Sequence, residues 1–159
     1  MKLEFDYLIA GGGSAGCALA SRLCEDKSIT VCIVEAGGNG NNLFIKMPAG
    51  NGFVFGNPKL DWGYKSIPQK NLNNRTIYFP RGKSLGGSSI VNGMIYMRGI
   101  PSDYNSWRQL GLSGWGYSDI LPYFKKSEGS EHRNDKYHGK KGPLKIERSS
   151  NYGILEEAF

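Results

Sequence analysis

Gly11-Gly12-Gly13-Ser14-Ala15-Gly16 has the spacing G-x-G-x-x-G, and its surroundings give that spacing meaning. Residues 5–10 before it are a short apolar run that suits a buried strand. After it, small residues lead to Leu19 and Leu23 at i, i+4, so residues 14–24 predict a helix. Residues 29–34 are a second apolar, β-branched run and predict a second strand. Strand, glycine turn, helix and strand fit into about thirty residues, the length of one βαβ unit. Gly11 allows the tight turn, Gly13 lets backbone approach a pyrophosphate, and Gly16 lets helix and strand pack closely. The unpaired N–H groups and dipole at the helix start favour phosphate charge.

Glu35 closes the second strand, nineteen residues after Gly16. A carboxylate there accepts hydrogen bonds from a ribose and repels a 2′-phosphate, which disfavours NADP. The unit by itself does not separate FAD from NAD.

Working outward, residues 37–42 are all Gly and Asn and predict a loop. Residues 64–68 and 76–80 predict two strands of a hairpin around the polar turn 69–75. Residues 81–89 form a second glycine-bearing loop. Ser102 is a candidate cap for a helix through Leu110 with Gly111 as its stop, and Ser118 for another through Lys126, with Pro122 in its first turn. Residues 156–159 read as a helix start without a stop signal, which gives the chain a cut-off look. There are no internal repeats and no Gly/Ser linker.

The 159 residues are about one domain's worth of chain, and 39% hydrophobic residues suffice for a core. The 23 glycines come in clusters without a G-x-y period, which excludes collagen and points to backbone near a ligand. The apolar stretch 5–24 is interrupted by Asp6, Arg22 and three consecutive glycines, so it reads as neither a membrane span nor a signal peptide. The chain therefore reads as cytoplasmic, with peripheral membrane association left open. Cys17, Cys24 and Cys32 form no C-x-x-C pair and read as small buried hydrophobes in a reduced compartment, with no metal site.

The net charge of +6 lies wholly in the second part, since residues 1–64 carry five basic and six acidic side chains against fifteen and eight in residues 65–159. Residues 125–148, where basic groups mix with Glu128, Glu131, Asp135 and Glu147, read as a solvated polar segment. No nucleic-acid-binding module accompanies the charge. His132 and His138, the two histidines, fall there and read as exposed loop residues, not catalytic bases.

The second glycine cluster carries more information. Pro80-Arg81-Gly82-Lys83-Ser84-Leu85-Gly86-Gly87-Ser88-Ser89 runs on into Ile90-Val91-Asn92-Gly93-Met94-Ile95-Tyr96. A plain NAD unit has no need of such an insertion. Together with Asp6-Tyr7-Leu8-Ile9-Ala10 before the glycine turn and Glu35-Ala36-Gly37-Gly38 after it, this stretch resembles the N-terminal part of a glucose–methanol–choline (GMC) oxidoreductase. Asp103-Tyr104 with Trp107, Gly114-Trp115, Leu121-Pro122-Tyr123-Phe124, His138-Gly139 and Gly142-Pro143-Leu144 are similar to the choline dehydrogenase branch. The resemblance covers nearly all of the chain.

The resemblance implies an α/β fold: a truncated, Rossmann-like FAD-binding domain over residues 1–159 with an added β-hairpin and helices. It implies FAD as cofactor and a small-molecule alcohol as substrate of the full-length enzyme, with hydride transfer from alcohol to flavin. Ser14, Ala15 and Glu35 would hold the ADP half. Ser88, Asn92, Gly93 and Ile95 would lie along the pyrophosphate and flavin side, with Met94 approaching the ring by its backbone. Gly11, Gly13, Gly16, Ala36 and Gly86 complete the expected cofactor-binding set. Trp62 is read as a core residue, with a place beside the cofactor as the alternative.

Two departures from the family pattern matter. Some members attach FAD through a histidine in the second glycine stretch, whereas the candidate positions here are Val91 and Asn92. Bound FAD is therefore expected to be non-covalent. The family's catalytic histidine, with its histidine or asparagine partner, belongs to a C-terminal portion, so no catalytic residue is assigned and the chain by itself is not expected to oxidise alcohols. The rival readings are a truncated, non-catalytic nucleotide-binding remnant and, less favoured, an NAD-dependent dehydrogenase.

Overall fold

β1 (Tyr7–Ala10) and β2 (Val31–Val34) pair in parallel, with Tyr7 opposite Val31 and Ala10 opposite Val34. α1 (Ser14–Leu23) connects them, which is the expected βαβ unit. The computed structural model describes residues 4–47, 50–133 and 135–148. The helix start expected at residues 156–159 lies outside them. The chain forms two compact units, Met1–Met94 and Ile95–Phe159.

In the first unit, the Gly/Asn loop leads to two short helices not foreseen in the sequence, α2 (Leu43–Lys46) and α3 (Asn51–Val54). Asn42 starts α2 by accepting the Phe44 N–H at 2.9 Å. The hairpin is present but short: β3 (Tyr64–Lys65) pairs antiparallel with β4 (Tyr78–Phe79). A 3₁₀ turn at Lys70–Leu72 and left-handed Asn73 and Asn74 occupy its tip. The buried core joins Val54, Leu60, Ile90 and Val91, with Ile45 packed against it. This core seats the second glycine loop against the rest of the unit.

The three cysteines do not share one buried setting. Cys17 and Cys32 are half-buried, and Cys24, just beyond the end of α1, is exposed.

Asp61 ties this unit together. It is 3% exposed and accepts hydrogen bonds from the backbone N–H groups of Gly56 (2.9 Å), Gly63 (2.9 Å) and Arg81 (3.0 Å) and from the Tyr78 hydroxyl. Burial pushes its pKa up, but the four donors outweigh burial and hold it at about 2, below the ordinary 3.8. A depressed pKa contributes stability that is complete above about pH 4 and is lost as pH falls through 2. Urea unfolding should therefore show about 2 kcal/mol of acid-labile stability that is missing in Asp61→Asn. An Asn variant whose midpoint falls with acid as steeply as the wild type's would refute this.

The second unit holds α4 (Pro101–Gln109), α5 (Tyr117–Ser127), β5 (Glu128–Ser130) and β6 (Leu144–Ile146). Both helices begin earlier than their serines suggest. Pro101 occupies the first turn of α4, where a missing N–H costs least, and the Asp103 carboxylate reaches back to the Ile100 N–H at 3.0 Å. Asp119 does the same for the Gly116 N–H at 3.1 Å, so α5 starts at Tyr117 and Pro122 falls in its second turn. The expected stop holds at Gly111, which takes a left-handed φ of 95° just past α4. Tyr104 is the packing centre, edge-on to Trp107 at 5.3 Å and to Phe124 at 5.6 Å.

Residues 125–148 are not a plain solvated segment. β5 and β6 pair in parallel, and Glu128, Gly129 and Ser130 are buried. His138 is also less exposed than expected, its side chain at 18% with Nδ1 2.7 Å from Asp135 Oδ1. That bond, with the Tyr137 N–H, holds the Asp135 carboxyl below its ordinary pKa. His132 is exposed, as read from the sequence.

Candidate functional site

The site begins at the end of β1. The first bond of α1 runs from the Cys17 N–H to the Gly13 carbonyl at 2.9 Å. The N–H groups of Ser14, Ala15 and Gly16 precede it and point beyond the helix start, where an anion is favoured. A Cβ at Gly11 would meet nothing within 4 Å, and one at Gly13 nothing nearer than 3.9 Å. The turn thus faces open space. That space belongs to a cleft of about 990 Å³, near the upper end of the range for small-molecule sites.

Glu35 lines the same cleft at the end of β2. Its carboxylate accepts the Gly12 N–H at 2.7 Å and the Gly37 N–H at 2.8 Å. It therefore ties the first glycine turn to the turn at Gly37, and each oxygen keeps acceptor capacity for ribose hydroxyls.

The second glycine loop is fastened to the first. The Gly86 N–H donates to the Gly12 carbonyl at 2.7 Å, and the hydroxyls of Ser14 and Ser89 lie 2.6 Å apart. Gly87 has a φ of +54°, and a Cβ there would sit 2.7 Å from the Gly13 Cα. Only glycine permits that approach. Buried Ser84 anchors the loop from behind by donating to the Gly38 carbonyl at 2.9 Å.

Of the residues expected from the sequence, Gly11, Gly13, Ser14, Ala15, Gly16, Glu35, Ala36 and Ser88 line the cleft together. Gly86 contributes its backbone bond to Gly12. Asn92, Gly93 and Met94 are not among the lining residues. The Asn92 side chain instead accepts the Met94 N–H at 3.0 Å, and Met94 takes a left-handed φ of 55°. Ile95 is exposed and belongs to the second unit.

Beyond Ile9, Ala10, Leu19 and Val34 of the βαβ unit itself, five lining residues lie outside the expected set, Gly82 and Gly87 in the second loop and three on the wall beside it. Gly87 adjoins the expected Gly86. Trp62 is 42% exposed and lines the cleft, so it is not a core tryptophan. Tyr64 lines it too and stacks on Trp62, rings 6.0 Å apart. Arg81 completes this wall. The available signals were the run Asp61-Trp62-Gly63-Tyr64 before the hairpin, which holds the two aromatics, and the second glycine stretch itself, which holds Arg81, Gly82 and Gly87.

A glycine turn, open helix N–H groups, a carboxylate at the end of β2 and an aromatic wall around one cleft define a dinucleotide-binding unit. The turn's open front and its donor set fit the diphosphate and ribose of FAD. The chain belongs to the GMC oxidoreductase family, whose family model matches residues 5–159. It is 47% identical over 157 residues to the oxygen-dependent choline dehydrogenase of Rhizobium etli, covering 99% of this chain and 29% of that one. It is 43% identical over 157 residues to the alcohol dehydrogenase [acceptor] of Pseudomonas putida, covering 98% and 28%. The crystal structure of pyridoxine 4-oxidase from Mesorbium loti superposes with a TM-score of 0.90 at 38% identity, covering 98% of this chain and 31% of that one. The chain therefore spans about 29% of the length of the curated relatives it matches. Among the described residues, no helix is long and apolar enough to cross a membrane.

Proposed function

We propose that residues 1–159 form the N-terminal FAD-binding region of a flavin-dependent oxidoreductase acting on the CH–OH group of an alcohol, of choline dehydrogenase type. The observation that carries this reading is the second glycine loop, fastened to the first through Gly86–Gly12 and Ser14–Ser89. A plain NAD-binding βαβ unit needs no such second layer.

FAD supplies the hydride acceptor for alcohol oxidation. The chain's own residues bind and orient it. Ser14, Ala15 and Gly16 offer N–H groups to the diphosphate, Glu35 accepts from the ribose, and Ser88 faces the cleft beside them. By the family pattern, Asn92, Gly93, Met94 and Ile95 are flavin-side residues.

Calorimetric titration with FAD tests the assignment. Glu35→Ala should weaken binding by roughly 1–3 kcal/mol, the cost of losing a charged acceptor. An unchanged affinity with an intact fold would remove Glu35 from the site.

The bound flavin should also be non-covalent. Val91 is buried in the apolar core, and the Asn92 side chain is engaged with the Met94 backbone, so neither candidate position offers an attachment group. Acid or heat denaturation should release all yellow colour to the supernatant. Flavin fluorescence that stays with the denatured protein band would contradict this.

A further inference from the structure

We infer that Arg81 is a binding residue for the FAD diphosphate. This assignment rests on FAD as the ligand of the cleft. The diphosphate carries two negative charges. The start of α1 offers only about half a positive charge against them, and Glu35 adds a negative one to the same cleft. Among the described residues lining the cleft, Arg81 is the single cation.

Its place in the chain of contacts supports the role. The Arg81 N–H donates to Asp61 Oδ1 at 3.0 Å, and its carbonyl accepts the Trp62 N–H at 2.9 Å. Its backbone is thus fixed by a buried carboxylate. The next residue, Gly82, donates its N–H to Ser88 Oγ at 3.3 Å. Ser88 precedes Ser89, whose hydroxyl meets that of Ser14 at the start of α1. Two short links therefore join the Arg81 backbone to the helix end where phosphate is favoured. The side chain is exposed and lightly held. Nη1 donates to the Pro80 carbonyl at 2.7 Å and the guanidinium lies 6.0 Å from the Phe79 ring centre. Nε and Nη2 are left to donate side by side, the fork that suits phosphate oxygens.

The test is FAD titration of the wild type, Arg81→Gln and Arg81→Lys over a range of salt concentrations, with melting temperature measured for each. Arg81→Gln should bind FAD about 10- to 100-fold more weakly, the scale of a lost charge-assisted bond. Its melting temperature should be unchanged. Its affinity should also fall less steeply with salt than the wild type's, because one screened attraction is gone. Arg81→Lys should recover part of the affinity and most of the salt dependence. Wild-type binding with an unaffected Gln variant, or an equal salt response in both, would overturn the assignment and leave the FAD reading standing. A wild-type chain that takes up no FAD would overturn both.

Discussion

Gly16→Val is expected to abolish measurable FAD uptake and to destabilise the first unit by about 3 kcal/mol or more, the upper end for overpacking. The reason is backbone, not side chain. A Cβ at position 16 would lie far inside contact distance of the Gly11 carbonyl oxygen and 3.3 Å from Ile9 Cγ2. The carbonyl cannot rotate away, because the Gly11 N–H is held by the Val34 carbonyl at 2.8 Å and the Gly12 N–H by Glu35 at 2.7 Å. Relief therefore requires α1 to move off β1. That displaces the N–H groups of Ser14, Ala15 and Gly16 from the space the diphosphate would fill. Urea unfolding and flavin titration measure the two effects separately. Uptake within about tenfold of the wild type would show that the turn yields more easily than a close-packed interior should.

The same turn explains why the first unit was legible in the sequence. Glycine spacing, strand pattern and Glu35 are local signals, and β1, α1 and β2 fall within two residues of where those signals put them. The hairpin was legible for the same reason, though its ladder is cut to two pairs by the irregular Asn73-Asn74 tip. What escaped was set by distant partners. Glu128-Gly129-Ser130 contains no apolar residue, yet it is a buried strand because β6 pairs with it and Arg98 meets its carboxylate. Serine hydroxyls suggested helix starts at 102 and 118, but Asp103 and Asp119, each reaching back three residues, cap earlier positions. Arg81 and Trp62 line the same cleft, held together where the Trp62 N–H donates to the Arg81 carbonyl, a pairing that no periodicity announces.

Arg98→Ala should be the most damaging single change in the second unit, costing about 3–5 kcal/mol, the range for breaking one partner of a buried ion pair. Glu128 is 1% exposed and Arg98 is 12% exposed in their side chains. Nη2 of Arg98 pairs with Glu128 Oε2, Nη1 donates to the Tyr137 carbonyl at 2.8 Å, and Nε to the Tyr96 hydroxyl at 2.9 Å. The guanidinium also lies 5.0 Å from the Phe124 ring centre and 5.5 Å from that of Tyr96. Glu128 in turn accepts the Gly139 N–H at 3.0 Å, which holds the segment before β6. With Arg98 removed, a buried carboxylate keeps one backbone donor and loses its charge partner. A loss of that size is a large share of an ordinary domain's stability. The double variant Arg98→Met/Glu128→Leu separates charge from packing. Because it leaves no orphaned ion, it should be markedly more stable than Arg98→Ala, though it still loses the tie to Gly139. Urea unfolding followed by tryptophan fluorescence reads both. A double variant as unstable as the single would mean that the network's hydrogen bonds, and not the buried charge, hold the unit together.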